Sequence, residues 1–331
     1  LRKVDSMKHV LDWFDTLGRP QKAITFIILL PVWLIFPRMR QKVKDLFVSL
    51  WGSLSSWAAD VRESTVESAE AFWLSSTYKW HKFRGAPLPD LDLMTMVAGS
   101  DDVRWFIRSG KAAVRSAKGI LAKNGVRITK EDHILDFGCG VGRVIRHWKK
   151  RRTPNLYGSD YNPSLIDWAG SHLKFAQFST NELKSPLGFE DKKFNLVYAF
   201  SVFTHLTEEQ QFFWIDELNR TMKLGGHLLV SVHGQDYYLP DILQKDRARF
   251  MRGELIVYGG DQAGTNICTV FHPKKYIYEK FARNFEIVDY ISEGALGNPR
   301  QDLVLLRKTA DSSYLDQADA LNLGAREEAK V

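Results

Sequence analysis

Between Val43 and Arg84 the apolar residues Leu46, Leu50, Leu54, Trp57, Val61, Val66, Phe72 and Trp73 form an irregular stripe between charged positions, a pattern that predicts helices. The GAPLPD stretch from Gly85 to Asp90 interrupts it with two prolines and a glycine and marks a boundary. Helical periodicity returns from Val103 to Lys123 and stops at Asn124-Gly125. Beyond this point short apolar runs alternate with helix-length amphipathic runs, as in βαβ units of a parallel sheet. Strands are expected at His133–Phe137, Leu156–Ser159, Lys174–Phe178, Phe194–Phe200 and His227–Val232, with later extended segments at 267–271, 285–291 and 303–306. Helices are expected at 142–150, from Pro163, at 208–223 and at 273–283, the third ending in a Leu224-Gly225-Gly226 turn. A loop-rich insert, Gly234 to Thr265, follows the fifth strand.

Charge and composition change the picture mainly at the N-terminal end. The run from Ala23 to Phe36, AITFIILLPVWLIF, contains Thr25 as its one polar residue and Pro31 near its middle. A helix of that length rises about 21 Å, short of a hydrocarbon core of about 30 Å, and Pro31 would kink it. Arg19, Lys22, Arg38, Arg40, Lys42 and Lys44 bracket the run without an acid among them. Basic residues on both sides favour attachment to a membrane surface with both ends on the cytoplasmic face; a buried core helix and a tilted span are the alternatives. The formal net charge of +7 is modest, and its concentration around an apolar segment disfavours a nucleic-acid partner. Two cysteines, Cys139 and Cys268, exclude a disulfide scaffold or a cysteine-rich metal module and fit a reducing cytoplasm. No metal site is expected. The tail from Thr309 is acidic and poor in large apolar residues, and is expected to be mobile.

The stretch carrying chemistry is HILDFGCGVGRVIRHW, His133 to Trp148. A strand ending in Asp136 runs into Gly138, Cys139, Gly140, Val141 and Gly142, and a helix is expected to start at once. Glycines there allow a tight turn and close approach of a ligand, while a helix N-terminus would offer free N–H groups to an anion. Asp160 ends the next strand, where a carboxylate can accept from ribose hydroxyls. A nucleoside ligand at the carboxyl ends of the strands follows. The spacing is G-x-G-x-G: the dinucleotide fingerprint would need a glycine where Arg143 stands.

Taken in order, ILDFGCGVGR, LYGSDYNP, FNLVYAFSVFTHL and MKLGGHLLVSV resemble the class I S-adenosylmethionine-dependent methyltransferases, over roughly residues 100–308. The resemblance implies an α/β fold: a Rossmann-like, seven-stranded, mostly parallel sheet with helices on both faces, here with an N-terminal helical extension. It divides the chain into that extension (1–85), a methyltransferase domain (86–308) and a flexible tail (309–331). It implies S-adenosylmethionine as cofactor, with Asp136, Gly138, Cys139, Gly140 and Gly142 around the methionine portion. Asp160 would bind the ribose, Tyr161 would pack on the adenine, and Asn181 would reach its amino group. Phe200 and Ser201 would face the methyl. Asn181 and Asn195 stand where the family often has aspartate, and Tyr161 and Cys139 also fit plain packing roles.

Methyl transfer to an alcohol benefits from a base, and His205, in the loop after the fourth strand, is the first candidate; His233, after the fifth, is the second. Tyr237, Tyr238, Arg247, Arg249 and Arg252 of the insert are available to a polar or anionic acceptor. Together these features point to a cytoplasmic enzyme, peripheral on the inner membrane face, that methylates a hydroxyl of a glycan, lipid-linked or small-molecule acceptor. A soluble small-molecule O- or N-methyltransferase and a non-catalytic binding scaffold are the alternatives.

Overall fold

The computed structural model describes residues 86–148, 155–298 and 300–310; the apolar run at 23–36, the stripe from Val43 and the tail beyond 310 lie outside them. After α1 (Leu91–Ala98) comes α2 (Val103–Lys123), which covers the span its periodicity predicts. Asp102 caps its first turn, accepting from the N–H groups of Arg104 at 2.8 Å and Trp105 at 3.0 Å. At the other end Gly125, at φ 74°, turns the chain so that Gly125 N–H reaches the Ala122 carbonyl and Val126 N–H the Leu121 carbonyl. These are the paired bonds of a Schellman stop.

The sheet runs β3 (Gln177–Thr180), β2 (Asn155–Asp160), β1 (His133–Phe137), β4 (Phe194–Ala199), β5 (Met222–Val232), β9 (Gln301–Lys308), β8 (Phe285–Ala295). The first five strands are parallel, and β9 is antiparallel to both neighbours. This is the seven-stranded, mostly parallel Rossmann-like sheet expected. Its central strands read as unbroken apolar runs because both faces are covered. Leu135, Val197, Ala199, Leu228 and Val230 pack with Trp214, Ile215 and Leu218 of α4 (Glu208–Thr221). Their neighbours Ile134, Leu196, Tyr198 and Leu229 pack on the other side with Ala113, Val114, Ala117 and Ile120 of α2. The alternation follows from the two-residue period of a strand.

Two further helices begin where their caps dictate. Asn162 accepts from Ser164 N–H at 3.0 Å and Pro163 occupies the first turn of α3 (Pro163–His172). Thr207 and Gln210 form a reciprocal capping box at α4. The insert after β5 is more regular than its composition predicts: α5 (Gln235–Tyr238), α6 (Gln244–Met251) and β6 (Ile256–Tyr258), which pairs antiparallel with β7 (Thr269–Phe271).

Several boundaries differ from expectation. The helix predicted over 142–150 is replaced, up to Trp148, by turns and one 3₁₀ turn, Ile145–His147. The buried Arg146 guanidinium donates to the carbonyls of Gly142 at 2.9 Å and Val141 at 3.0 Å, groups a helical ladder would use. A buried guanidinium must be satisfied, and these carbonyls, with that of Pro87 at 2.8 Å, satisfy it; the Gly142 carbonyl also accepts from the Arg146 N–H at 3.4 Å. Leu224-Gly225-Gly226 lies inside β5 as an irregularity in its pairing with β4, not as a turn before it. The segment expected to be one helix from Pro273 is a short α7 (Lys274–Tyr276) running into a π-turn, Ile277–Phe281.

Candidate active site

The carboxyl ends of β1, β2 and β4 open onto a cavity of about 310 Å³, within the range of small-molecule sites. Asp136, Gly138, Cys139, Gly140, Asp160, Tyr161, Asn181, Phe200, Ser201 and His205 line it, so ten of the residues expected at the site are brought together. Gly142 is outside the lining. At φ 72° it turns the chain beneath the loop, and a Cβ there would stand 2.5 Å from Cδ1 of Leu173.

Gly138 has φ 73°, a backbone conformation that favours glycine, and a Cβ on it would overlap Cγ2 of Val202 in the facing loop. Gly138→Ala is therefore expected to lower stability by about 1–3 kcal/mol and to weaken S-adenosylhomocysteine binding, as measured by thermal melting and calorimetry. Contrary to expectation, the first three N–H groups of the loop are not free. Gly138 and Cys139 donate to the Ser159 carbonyl at 2.8 and 3.0 Å, and Gly140 donates to Asp160 Oδ2 at 2.8 Å. With these N–H groups spent on β2 and no α-helix behind it, the loop is not an anion cradle. It is a close backbone wall.

The two carboxylates differ in their surroundings. Asp160 is anchored through both oxygens, Oδ2 on Gly140 N–H and Oδ1 on Asn162 N–H at 3.0 Å, and each oxygen keeps a second lone pair. Burial raises its pKa, and these backbone donors draw it back. Asp136 is 2% exposed, and its Oδ2 has no hydrogen-bond partner. Burial pushes its carboxyl up to about 8, against the opposing influence of the Tyr198 hydroxyl and the Arg143 guanidinium. Asp136 lines the cavity, and a buried carboxyl with an unsatisfied oxygen favours a cationic donor from a ligand seated beside it. Asn181 accepts from Ser159 Oγ at 2.6 Å and donates to the Glu182 carbonyl at 2.8 Å, which fixes its orientation. Tyr161 is 38% exposed at the rim and not a core residue. Cys139 is buried, and burial raises its thiol well above the ordinary value, so it remains a neutral packing group.

His205 stands on the 3₁₀ turn Phe203–His205 after β4. Its Nδ1 lies 2.7 Å from the Cys268 carbonyl, an acceptor only, so Nδ1 carries the proton and Nε2 presents the lone pair. Burial lowers its pKa from 6.5, partly offset by that hydrogen bond, and keeps the ring neutral at pH 7. His233 does not line the cavity. Its Nδ1 faces the Val270 carbonyl at 3.2 Å, its Nε2 faces the Gln301 amide at 3.3 Å, and burial lowers its pKa to about 4.

Val202, in the loop expected to face the methyl, and Gly264 and Thr265, at the end of the insert, are also in the lining; Met96 and Val97 of α1, Leu183, Leu206, Trp214 and Asn266 join them without having been singled out in the sequence. Gly264 N–H donates to the His205 carbonyl at 2.7 Å, and Asn266 Nδ2 reaches the Met96 carbonyl at 3.4 Å. The insert's arginines are engaged elsewhere: Arg247 on the carbonyls of Ile242 and Pro240, Arg249 on Asp246 and Glu254, Arg252 on Glu254. Neither they nor Tyr237 and Tyr238 line the cavity. No cluster of metal-ligating side chains occurs among the described residues, and none of their helices is long and apolar enough to cross a membrane.

Comparison with known proteins places a methyltransferase-domain family model on residues 135–230, from β1 to β5. Among solved structures the chain is similar to an S-adenosylmethionine-dependent methyltransferase from Methanosarcina mazei, at 20% identity over 57% of this chain and 96% of that one, TM-score 0.42. A second, from Mesorhizobium loti, matches at 17% identity over 58% and 98%, TM-score 0.45.

Proposed function

The protein is a class I S-adenosylmethionine-dependent methyltransferase, and from this premise we propose that it methylates a neutral hydroxyl group, with His205 as the base. The observation that carries this reading is the locked tautomer of His205: a neutral ring whose Nδ1–H is held by Cys268 and whose Nε2 has no protein partner among the described residues.

S-adenosylmethionine, when bound, supplies an electrophilic methyl group on a sulfonium. The residues present fit it. The Asp136 carboxylate would accept from its ammonium group, the Asp160 carboxylate from its ribose hydroxyls, and Tyr161 and Leu165 would flank its base. The wall of Met96, Leu183, Val202 and Leu206 would exclude water from the reacting oxygen. His205 Nε2 takes the hydroxyl proton, leaving that oxygen as the nucleophile. Among the described residues Arg143 is the only cationic side chain in the lining, and its guanidinium is held by Ser109, Asn298 and the Gly297 carbonyl. That leaves an anionic acceptor without a counter-charge, which favours a neutral one.

A sugar or lipid-linked alcohol presented at the inner membrane face is the acceptor class we favour, because the basic residues between 19 and 44 bracket the apolar run. Transfer of a labelled methyl group to neutral glycosides and polyprenyl-linked glycosides, with and without phosphatidylglycerol vesicles, tests this. Methylation of a hydroxyl, stimulated by the vesicles and declining as pH falls through the acid range below 6.5 where His205 protonates, is the expected result. Transfer to a carboxylate or an amine in preference to a hydroxyl would sink the reading.

A further inference from the structure

Gln301 opens β9, on the antiparallel side of the sheet, and is 2% exposed. A carboxamide offers two acceptor lone pairs and two N–H donors, and here all four are used. Oε1 accepts from Ser231 Oγ at 2.6 Å and from Asn298 Nδ2 at 3.3 Å. Nε2 donates to Ser201 Oγ at 2.8 Å and to His233 Nε2 at 3.3 Å. Two of these arms lead to the cavity. Ser201 is in its lining, and Asn298 Oδ1 accepts from Arg143, also in the lining, at 2.9 Å.

Ser201 is held in the left-handed region at φ 60°, which costs a residue with a side chain about 1–3 kcal/mol. Its N–H donates to Ser231 Oγ at 2.8 Å and its hydroxyl meets Thr204 Oγ1 at 3.3 Å, so Gln301 and Ser231 together restrain the strained turn. The same turn connects Phe200, on the cofactor side, to His205, whose N–H closes it on the Val202 carbonyl at 3.0 Å.

We propose that Gln301 is a positioning residue for methyl transfer: its carboxamide holds the Ser201 turn, and through it the spacing between the cofactor subsite and His205. The inference rests on the methyltransferase reading and not on the nature of the acceptor. Glutamate would not replace the amide, although it has the same shape. A carboxylate oxygen in the Nε2 position would face the His233 Nε2 lone pair, and the contact would hold only while His233 carries a second proton. The groups around that ring are the Val270 carbonyl, the rings of Tyr238 at 4.3 Å, Phe271 at 5.7 Å and His205 at 6.4 Å, and the buried His272 beyond β7. The nearby acid, Asp302, is occupied by the hydroxyl of Tyr290 and the N–H of Glu293.

The test is calorimetric titration of S-adenosylhomocysteine into the full chain and its Gln301→Met and Gln301→Glu variants from about pH 5.5 to about pH 8.5, with histidine ring signals followed by NMR. The methionine variant is expected to bind about tenfold more weakly throughout. The glutamate variant is expected to match the parent protein at the acid end and to weaken about tenfold as pH rises through a raised His233 pKa. Lower melting temperatures with unchanged affinity in the methionine variant would make Gln301 merely structural and overturn the proposal. So would parent-like affinity of the glutamate variant across the whole range. A parent protein that does not bind S-adenosylhomocysteine would instead remove the cofactor reading, so the two failures are distinguishable.

Discussion

Asp136→Asn is expected to bind S-adenosylhomocysteine about 100-fold more weakly than the parent protein while folding at least as stably. Asp136 is buried, Oδ2 is unpartnered, and burial holds its pKa at about 8, so at pH 7 much of the ligand-free protein carries the neutral acid. Asparagine resembles that acid in shape and charge. A ligand ammonium group, however, draws out the ionised form and makes a charge-assisted hydrogen bond in a water-poor wall, an interaction worth about 2–4 kcal/mol that an amide cannot reproduce. The linkage sign follows: a folded-state pKa raised above 3.8 makes Asp136 progressively destabilising as pH rises from that value to about 8. Denaturation measured across that range should show a shallower loss of stability in Asp136→Asn. Calorimetry in buffers of different ionisation enthalpy should show proton release when the parent protein binds the ligand below pH 8, and none in the variant. Unchanged affinity would remove Asp136 from the cofactor site.

His205→Ala is expected to reduce turnover about 10²–10⁴-fold with S-adenosylhomocysteine affinity within a few-fold of the parent protein. The ring is positioned by one hydrogen bond to the Cys268 carbonyl and by its place on the 3₁₀ turn, and in the proposed reaction it contributes a lone pair at Nε2. Its lowered pKa means that the parent activity is fully present near pH 7 and is lost as pH falls through the value in the folded protein. The residual activity of the alanine variant should lose that acid limb. A variant that keeps both its rate and its pH profile would leave the acceptor proton to solvent.

The glycine loop and the two carboxylates could be read locally because their chemistry is a property of short spacing: Asp136 ends one strand, the glycines turn the chain at once, and Asp160 ends the next. The sheet was legible for a similar reason, since short apolar runs alternate with helix-length amphipathic runs and Pro163 opens one of the helices. The segment after Gly142, expected to be a helix, is turns and one 3₁₀ turn, in which the Arg146 side chain bonds the carbonyls of Val141 and Gly142, contacts that periodicity does not reveal. The insert's arginines were misread for a complementary reason. Their positive charge was visible, but not the nearby carboxylates and carbonyls that absorb it.

By itself the sequence determined the parallel α/β architecture and the methyltransferase motif with Asp136 and Asp160 at its strand ends, and it pointed to His205 as the base to examine. Each of these is encoded in residues that are neighbours along the chain. Tertiary structure alone decided that His233 meets Gln301 outside the cavity lining, that Met96, Leu183 and Asn266 line the cavity, and that Gln301 bonds a turn 100 residues earlier in the chain. Those relations come from pairing β9 against β5 and from closing loops over the strand ends. A hydrogen bond formed across such a distance leaves no periodic trace in either segment, because its partners meet only when the whole sheet has assembled.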